Sequence, residues 1–348
     1  MNSPLLMRVL LVIVLVVCTV GVFNSRAERA EITIRIAFLA SSDDEDYVGA
    51  MAFKESVEAA AGGRVAVQVF PSGQYCGNER ECMEALQGGT LEVHQTTVGG
   101  LAALFGPAQA LDLPYTFVND AVAECVMDGP LLAQMGQAIL DQNLGLRLMA
   151  VGNTGGWRSF ATTTRRIRSP ADLARLRIRT LPSALEQEMV RALGGSPTPL
   201  PWSEVYYALS AGLLDGTKNS VQDVVAMKLH EHVRYLLVDR HSYMGAMWWY
   251  SEQQWQALPA DLKPVVAEGF RVLAIATREA AASRQAPAFE AFRASGGTVD
   301  EITPAQREQF RAATRGLRDW YANRYGRDWL ERLDAAVAAC EQKVGGIG

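Results

Sequence analysis

The chain has 348 residues, of which 49% are hydrophobic and 20% are charged. This composition excludes an intrinsically disordered protein, and the length allows two ordinary domains with packed cores. The net charge is −5 and the short basic run at 165–168 has no interleaved aromatic residues, so nucleic acid is not expected as a partner.

The first 27 residues predict a secretory signal peptide. Arg8 precedes an apolar run over residues 9–22, and the small residues Ser25 and Ala27 follow it. This run is shorter than the roughly 20 residues of a membrane-spanning helix, and signal peptidases cleave after small residues of this kind. We therefore expect residues 1–27 to be removed on export; an uncleaved membrane anchor is the alternative.

The next hundred residues alternate between strand and helix patterns. The strands are predicted over 32–39, 65–70 and 91–97, and the helices over 47–61 and 78–86. This β-α-β-α-β order is typical of a largely parallel sheet with helices on both faces. The chain therefore belongs to the α/β class.

Strands and helices also alternate in the rest of the chain. Further strands are predicted over 146–151, 176–181, 235–238, 242–251 and 297–301. Further helices are predicted over 184–193, 203–210, 220–232, 259–294, 304–321 and 328–344, and over 120–142 with a break at Gly129 and Pro130. The glycine-rich segment at 152–156 lacks a phosphate-binding motif, so we interpret it as a chain crossing between domains. The helix over 259–294 is long enough to lie across both.

Export permits disulfide bonds among the cysteines that remain after cleavage. Cys76 and Cys82 are six residues apart with a glycine between them, and they are a candidate pair. With Cys125 and Cys340, four cysteines allow three pairings, and the spacing does not choose among them.

Neither a metal nor a cofactor is expected. His230 and His232 are two residues apart on a predicted helix and point to different sides. The acidic run at 43–46 lacks the alternating ligands and the glycine of a calcium loop. We interpret this run as a solvated helix cap, because acidic residues at a helix N-terminus suit its dipole.

Two arginines are placed where a ligand is expected. Arg158 follows the glycine-rich segment, and Arg179 lies near the end of an apolar strand; Asn219 follows forty residues later in a polar turn. Open α/β sheets bind ligands beyond the carboxyl ends of their strands, and a guanidinium can hold both oxygens of a carboxylate. A surface salt bridge is the alternative role for each arginine.

Several motifs resemble one known family. They are VFPSGQ at 69–74, ERECMEALQGGTLE at 79–92, LDLPY at 111–115, DLARLRIR at 172–179, GGSPTPLPWSEVY at 194–206, DGTKN at 215–219 and LPADL at 258–262. With these motifs the mature chain resembles the substrate-binding proteins of TRAP transporters, the DctP-like periplasmic receptors.

The resemblance implies a two-lobed periplasmic binding protein fold of type II-like topology, with hinged lobes and one long helix spanning both. Lobe I is expected to comprise residues 31–155 and about 242–285. Lobe II is expected to comprise residues 156–241 and about 286–325. Residues 326–348 form a C-terminal helix that packs back on lobe I.

The resemblance also assigns roles to the candidate side chains. Arg179 ends the strand whose arginine pairs with the ligand carboxylate in this family, Arg158 matches a second, assisting arginine, and Asn219 matches an asparagine that lines the cleft. In the family the turn before Asn219 often carries an acid, and Lys218 replaces it here. If Lys218 faces the cleft, the ligand is expected to carry a second anionic group.

Two further positions are candidates for contact with the ligand. Thr97 aligns with a side-pocket position that holds an acid in some sialic-acid receptors, which weakens a sialic-acid assignment. Trp248 is interpreted as either a core residue or a wall of the ligand pocket.

The expected function is a monomeric periplasmic receptor that binds a small organic acid anion and delivers it to the membrane permease subunits of a TRAP transporter. A sensory receptor for the same ligand class is one alternative. An exported α/β enzyme is another, although the chain contains neither G-x-S-x-G nor H-E-x-x-H. The residues do not choose among organic acids.

Overall fold

Nine strands form one mixed sheet in the structure, a computed structural model that describes residues 30–345. The strands are β1 (Ile32–Ala37), β2 (Val65–Phe70), β3 (Val93–Thr96), β4 (Leu146–Thr162), β5 (Arg177–Thr180), β6 (Ser196–Pro199), β7 (Gly216–Asn219), β8 (Tyr235–Ser251) and β9 (Thr298–Glu301). Neighbouring strands follow the order β2-β1-β3-β8-β4-β7-β5-β6, and β9 pairs with β8. The signal peptide predicted for residues 1–27 lies outside the described residues.

Thirteen helices of the described residues cover the sheet. They are α1 (Glu45–Ala60), α2 (Glu79–Gln87), α3 (Val98–Leu101), α4 (Asp120–Met127), α5 (Pro130–Asp141), α6 (Ala184–Ala192), α7 (Val205–Ser210), α8 (Val221–Ala226), α9 (Glu252–Ala257), α10 (Lys263–Ala294), α11 (Pro304–Thr314), α12 (Leu317–Tyr325) and α13 (Asp328–Gly345). Within residues 30–345, no helix has both the length and the apolar character that crossing a bilayer requires.

The first half of the sheet has the predicted β-α-β-α-β arrangement. Strand β1 buries Ile34 and Ile36 and runs parallel to β2 and β3. Helix α1 connects β1 to β2, and its N-terminus is capped by Asp44, whose side chain accepts a hydrogen bond from the backbone N–H of Asp46 at 3.0 Å. The carboxyl ends of these parallel strands therefore lie at the same edge of the sheet as the start of α1.

Strands β4 and β8 are 17 residues each and run antiparallel to one another across the whole sheet. The sequence predicted shorter strands here, with a crossing at 152–156, and that prediction was wrong about where β4 ends. Gly155 and Gly156 adopt φ angles of 102° and 84°, so the strand takes an irregular register between Asn153 and Trp157 and then continues. An irregularity of this kind redirects a strand without ending it.

The second half of the sheet holds β5, β6 and β7. Strand β5 is parallel to both β6 and β7, and β7 is antiparallel to β4, with Asn219 opposite Ser159. The predicted polar turn before Asn219 is therefore a buried strand. Strand β6 was not predicted because Pro197 and Pro199 weaken its pattern; both are tolerated since β6 is an edge strand.

The long helix α10 has 32 residues and contacts both halves of the fold. It packs on α1 and β4, and further along on α8. Its close approach to α1 depends on Gly269, where an added Cβ would come within 2.4 Å of Val57. The expected long helix across both halves is thus present. The lobe boundaries near 155 and 242 stay a prediction.

Two disulfide bonds join the four cysteines of the described chain. The structure pairs Cys76 with Cys82, and Cys125 with Cys340, at Cα–Cα distances of 5.3 and 5.8 Å. Both distances lie in the usual disulfide range. The second bond joins α4 to α13 and holds the C-terminal helix against the segment at 106–141.

Removing the long-range disulfide is expected to cost more stability than removing the short-range one. In the chain-entropy model the cost grows with the closed loop, from about 2 kcal/mol for a separation of 6 to about 5 kcal/mol for one of 215. Urea unfolding of the Cys125→Ala/Cys340→Ala and Cys76→Ala/Cys82→Ala proteins measures the two losses. Equal losses would contradict the loop-length explanation.

Acid is expected to destabilise the fold through His94. This ring is fully buried in β3, its Nδ1 lies 2.8 Å from the Ala37 carbonyl oxygen, and burial lowers its pKa to about 4. As pH falls from about 6.5 towards about 4, the unfolded chain takes up a proton that the folded chain does not, so stability falls. The difference in unfolding free energy between wild type and His94→Gln should shrink over this range. A constant difference would contradict this assignment.

Candidate functional site

Buried charged side chains converge on a cavity between the two halves of the sheet. This central cavity has a volume of about 60 Å³. Its charged lining residues are Asp44, Asp46, Glu79, Arg158, Arg179 and Asp223. Larger hollows of about 420 and 480 Å³ lie elsewhere, at α11–α13 and beside α5, away from these charges. We assign the candidate site to the central cavity because charges without full pairing mark a place where a polar ligand is needed.

Arg179 is positioned by the parallel strand β5 and is 2% exposed. Its Nε donates to the carbonyl oxygen of Leu200 at 3.0 Å, and its guanidinium carbon lies 5.3 Å from the ring centroid of Trp202. Its Nη2 has no hydrogen-bond partner within residues 30–345. Burial lowers the pKa of Arg179 to about 10, so the group stays charged at neutral pH in an environment that penalises its charge.

Arg158 lies on β4 and is buried beside the same cavity. Its Nη1 donates to the carbonyl oxygen of Lys218 at 3.2 Å, and its Nη2 donates to Thr97 Oγ1 at 3.4 Å. The Nε has no hydrogen-bond partner in the described chain. The structure therefore brings Arg158, Arg179 and Thr97 together around one cavity.

Lys218 points its ammonium group at Glu186 instead of at the cavity. The Nζ–Oε2 distance is 2.6 Å, and the two side chains are 2% and 4% exposed. Burial alone would raise the pKa of Glu186, but the charges of Lys218 and Arg158 outweigh it and hold that pKa at about 2. Lys218 does not appear among the residues that line the cavity. A direct ligand role for Lys218 stays a prediction, and its geometry is that of a buried ion pair.

Asn219 lines the cavity at the end of β7, and its amide is held from both sides. Its Oδ1 accepts from Thr217 Oγ1 at 2.8 Å and its Nδ2 donates to Asp223 Oδ2 at 3.0 Å. Trp248 is fully buried and packs edge-on against Phe38 at 6.1 Å, away from the cavity lining. Of the two interpretations of Trp248, its position fits the core residue.

An acidic wall faces the arginines, and sequence reasoning missed it. Asp44 caps α1 as expected and Asp43 is exposed, but Asp44, Glu45 and Asp46 are buried, so the interpretation of the run as solvated was wrong for these three acids. The start of α1 is enclosed because Asp223 of α8 and Thr154 of β4 pack against it. Contacts between residues distant in sequence produce this burial, so the sequence pattern did not show it. The position of the acids after the carboxyl end of β1 was the one sequence feature that pointed to a ligand site.

Burial makes these acids hard to ionise. Burial together with the charge of neighbouring carboxylates raises the pKa of Glu45 to about 8 and that of Asp223 to about 7. The pKa of Asp46 is also raised well above its usual value by burial. The central cavity thus has a cationic wall and an acidic wall, and it suits a small solute with a carboxylate at the arginine end.

Comparison with known proteins gives one family. The model of the bacterial extracellular solute-binding protein family 7, DctP, matches residues 36–324. A solute-binding protein of Verminephrobacter eiseniae is 28% identical over 308 residues, which cover 88% of this chain and 90% of the relative. The C4-dicarboxylate-binding periplasmic protein DctP of Rhodobacter capsulatus is 27% identical over 319 residues, which cover 88% and 91%.

Solved structures give the same result. A TRAP periplasmic solute-binding protein from Sulfurospirillum deleyianum with bound succinate aligns with a TM-score of 0.83 at 26% identity, covering 88% of this chain and 99% of that one. The likeness confirms the predicted two-lobed α/β fold. The chain belongs to the bacterial extracellular solute-binding proteins of family 7, the DctP family that its motifs resembled.

Proposed function

We propose that this protein is a periplasmic receptor that binds a small organic acid anion by its carboxylate and delivers it to a TRAP-type transporter. The observation that carries the proposal is the pair of buried arginines, Arg158 and Arg179, whose unpartnered nitrogens belong to side chains lining the central cavity. The relatives support it, since one is named for C4-dicarboxylate binding and one was solved with succinate.

The proposed binding step is electrostatic. A carboxylate that enters the cavity replaces water around Arg179 and accepts hydrogen bonds from its free N–H groups. Arg158 and Asn219 line the same cavity. Exclusion of water strengthens the ion pair because the surrounding dielectric constant falls. Closing of the two lobes then requires contacts that exist only in the closed state, and the bound anion supplies them.

The proposed location and partners follow from the family. We propose that residues 1–27 direct export to the periplasm; the relative from Rhodobacter capsulatus is named a periplasmic protein, which supports this location. The receptor then docks, as a monomer, on the permease subunits of a TRAP transporter, which accept the released anion. Binding and release of a solute in this way require no covalent chemistry and no enzymatic activity.

Replacement of Arg179 tests the carboxylate assignment. A thermal-shift screen against a panel of organic acids identifies a ligand, because a ligand at about 100 times its Kd stabilises the protein by about 2.7 kcal/mol. Arg179→Met is expected to weaken binding of that ligand by about 2–5 kcal/mol, which raises the Kd measured by calorimetry roughly 30-fold or more.

Arg177→Met is the matched control. Arg177 lies two residues away on β5, but it is exposed and pairs with Asp215 at 2.8 Å, so its loss should leave affinity unchanged. Equal affinities of wild type and Arg179→Met would contradict the proposed role of Arg179.

The Lys218–Glu186 pair is expected to act on stability. Lys218→Met leaves a buried carboxylate without its nearest cation, and removal of one partner of such a pair typically costs about 3–5 kcal/mol. In urea unfolding, the Lys218→Met/Glu186→Gln protein should lose less than the sum of the two single losses. If the losses are additive while ligand affinity collapses in Lys218→Met, Lys218 serves the ligand instead.

A further inference from the structure

Three acidic side chains meet at the acidic wall of the central cavity. Asp44, Glu45 and Asp223 each offer one carboxylate oxygen, and these three oxygens all lie within 4.8 Å of one another. The residues are 2%, 2% and 3% exposed. Asp44 and Glu45 belong to the start of α1 in the first half of the fold, whereas Asp223 lies on α8 in the second half, so the cluster joins the two halves.

The charge of this cluster is poorly balanced by the protein. Asp46 is buried beside the three acids, which brings a fourth carboxyl group to the same place. Within the part of the chain that the structure describes, Arg284 forms an ion pair with the cluster: its Nη1 lies 3.9 Å from Glu45 Oε1, and its side chain is 37% exposed. Like charges buried together are costly unless a cation or protons compensate them.

A second observation points to a missing positive ligand. Asp46 Oδ1, Asp223 Oδ1 and Glu45 Oε1 are buried and have no hydrogen-bond partner among the described residues. Two of these residues are oriented through the other oxygen, because Asp46 Oδ2 accepts from Thr154 Oγ1 and Asp223 Oδ2 accepts from Asn219 Nδ2, both at 3.0 Å. Buried polar atoms are normally paired. Asp46 and Asp223 line the cavity, and their unpaired oxygens can only accept, so they suit binding of a cation.

The ligand set selects the kind of cation. Carboxylate oxygens with a nearby threonine hydroxyl are hard donors, which favour calcium over softer transition metals. Two oxygens on opposite sides of a Ca²⁺ ion, each about 2.4 Å away, are separated by about 4.8 Å. The three oxygens are no farther apart than this, so one calcium coordination shell can include all of them.

We propose that Asp44, Glu45 and Asp223 form a binding site for a divalent calcium-type cation that links the two lobes. Ca²⁺ takes 6–8 oxygen ligands, so positions remain for Asp46, for water and for oxygens of a bound solute. Because each lobe contributes at least one carboxylate, the ion stabilises the arrangement in which the lobes are together. The site shares the central cavity with Arg179 but uses its acidic wall, and it goes beyond the proposed function.

Calcium titration of the purified protein tests the site. After treatment with EDTA and its removal by gel filtration, addition of CaCl₂ should give saturable one-site binding in calorimetry and should raise Tm with ion concentration. NaCl at matched ionic strength is the salt control. An equal rise in Tm with NaCl, or no saturable binding of Ca²⁺, would overturn the proposal.

Asp223→Asn should remove calcium binding and should raise Tm in EDTA, since it relieves repulsion among buried carboxylates. Glu45→Gln provides an independent variant if the first does not fold. Asp43→Asn is the matched control, because Asp43 precedes the cluster in the same loop but is exposed; it should bind Ca²⁺ as wild type does.

Ligand binding separates this proposal from the function of the arginines. Glu45→Gln is the variant for this comparison, because Glu45 belongs to the acidic cluster and lies outside the lining of the central cavity. Loss of calcium binding in Glu45→Gln with Arg179-dependent binding of the acid retained supports two distinct sites. If Ca²⁺ has no effect and an amino acid binds more tightly than its deaminated analogue, the acids serve an ammonium group of the solute, and the metal site is wrong.

Discussion

Two guanidinium groups held away from water are the constraint on which the site depends. A buried positive charge is costly unless lone pairs or anions surround it. Carbonyl oxygens of Leu200 and Lys218 and the carboxylate of Glu186 supply part of that environment for Arg158 and Arg179. Arg158 Nε and Arg179 Nη2 have no hydrogen-bond partner within the described chain, and in the proposed function an anion in the central cavity completes their coordination. Affinity for carboxylates is then a consequence of how the fold is packed.

The register of β4 with β7 and β8 decides where the charge of Arg158 lies. Arg158 sits opposite Ser242 of β8, and the adjacent Phe160 and Ser159 sit opposite Lys218 and Asn219 of β7. A slip of one residue would turn Arg158 to the other face of the sheet. The long shared strands therefore fix the arginine, the buried ion pair and the asparagine as one unit, and they also connect the two halves that enclose the solute.

Opposite charges on the two walls of the central cavity favour one orientation of a bound anion. A carboxylate is attracted to Arg179 and repelled by the carboxylates of Asp46 and Asp223 when these are ionised. The net charge of the chain is −5, so attraction of an anion must come from this local field and not from the whole protein. A cation at the acidic wall would remove the repulsion without changing the arginine wall, which makes the two walls interdependent for solutes that reach both.

The sequence by itself determined the α/β class, the strand that carries Arg179, the candidate residues Arg158 and Asn219 and the family, because periodicity, turn residues and motifs are properties of neighbouring residues. Only the tertiary structure decided that β4 continues through its glycines, that Lys218 faces Glu186, and that three acids of the run at 43–46, namely Asp44, Glu45 and Asp46, are buried. The physical reason is that burial and charge pairing depend on residues distant in the chain: the acids of α1 meet Asp223 only after both halves of the sheet have formed.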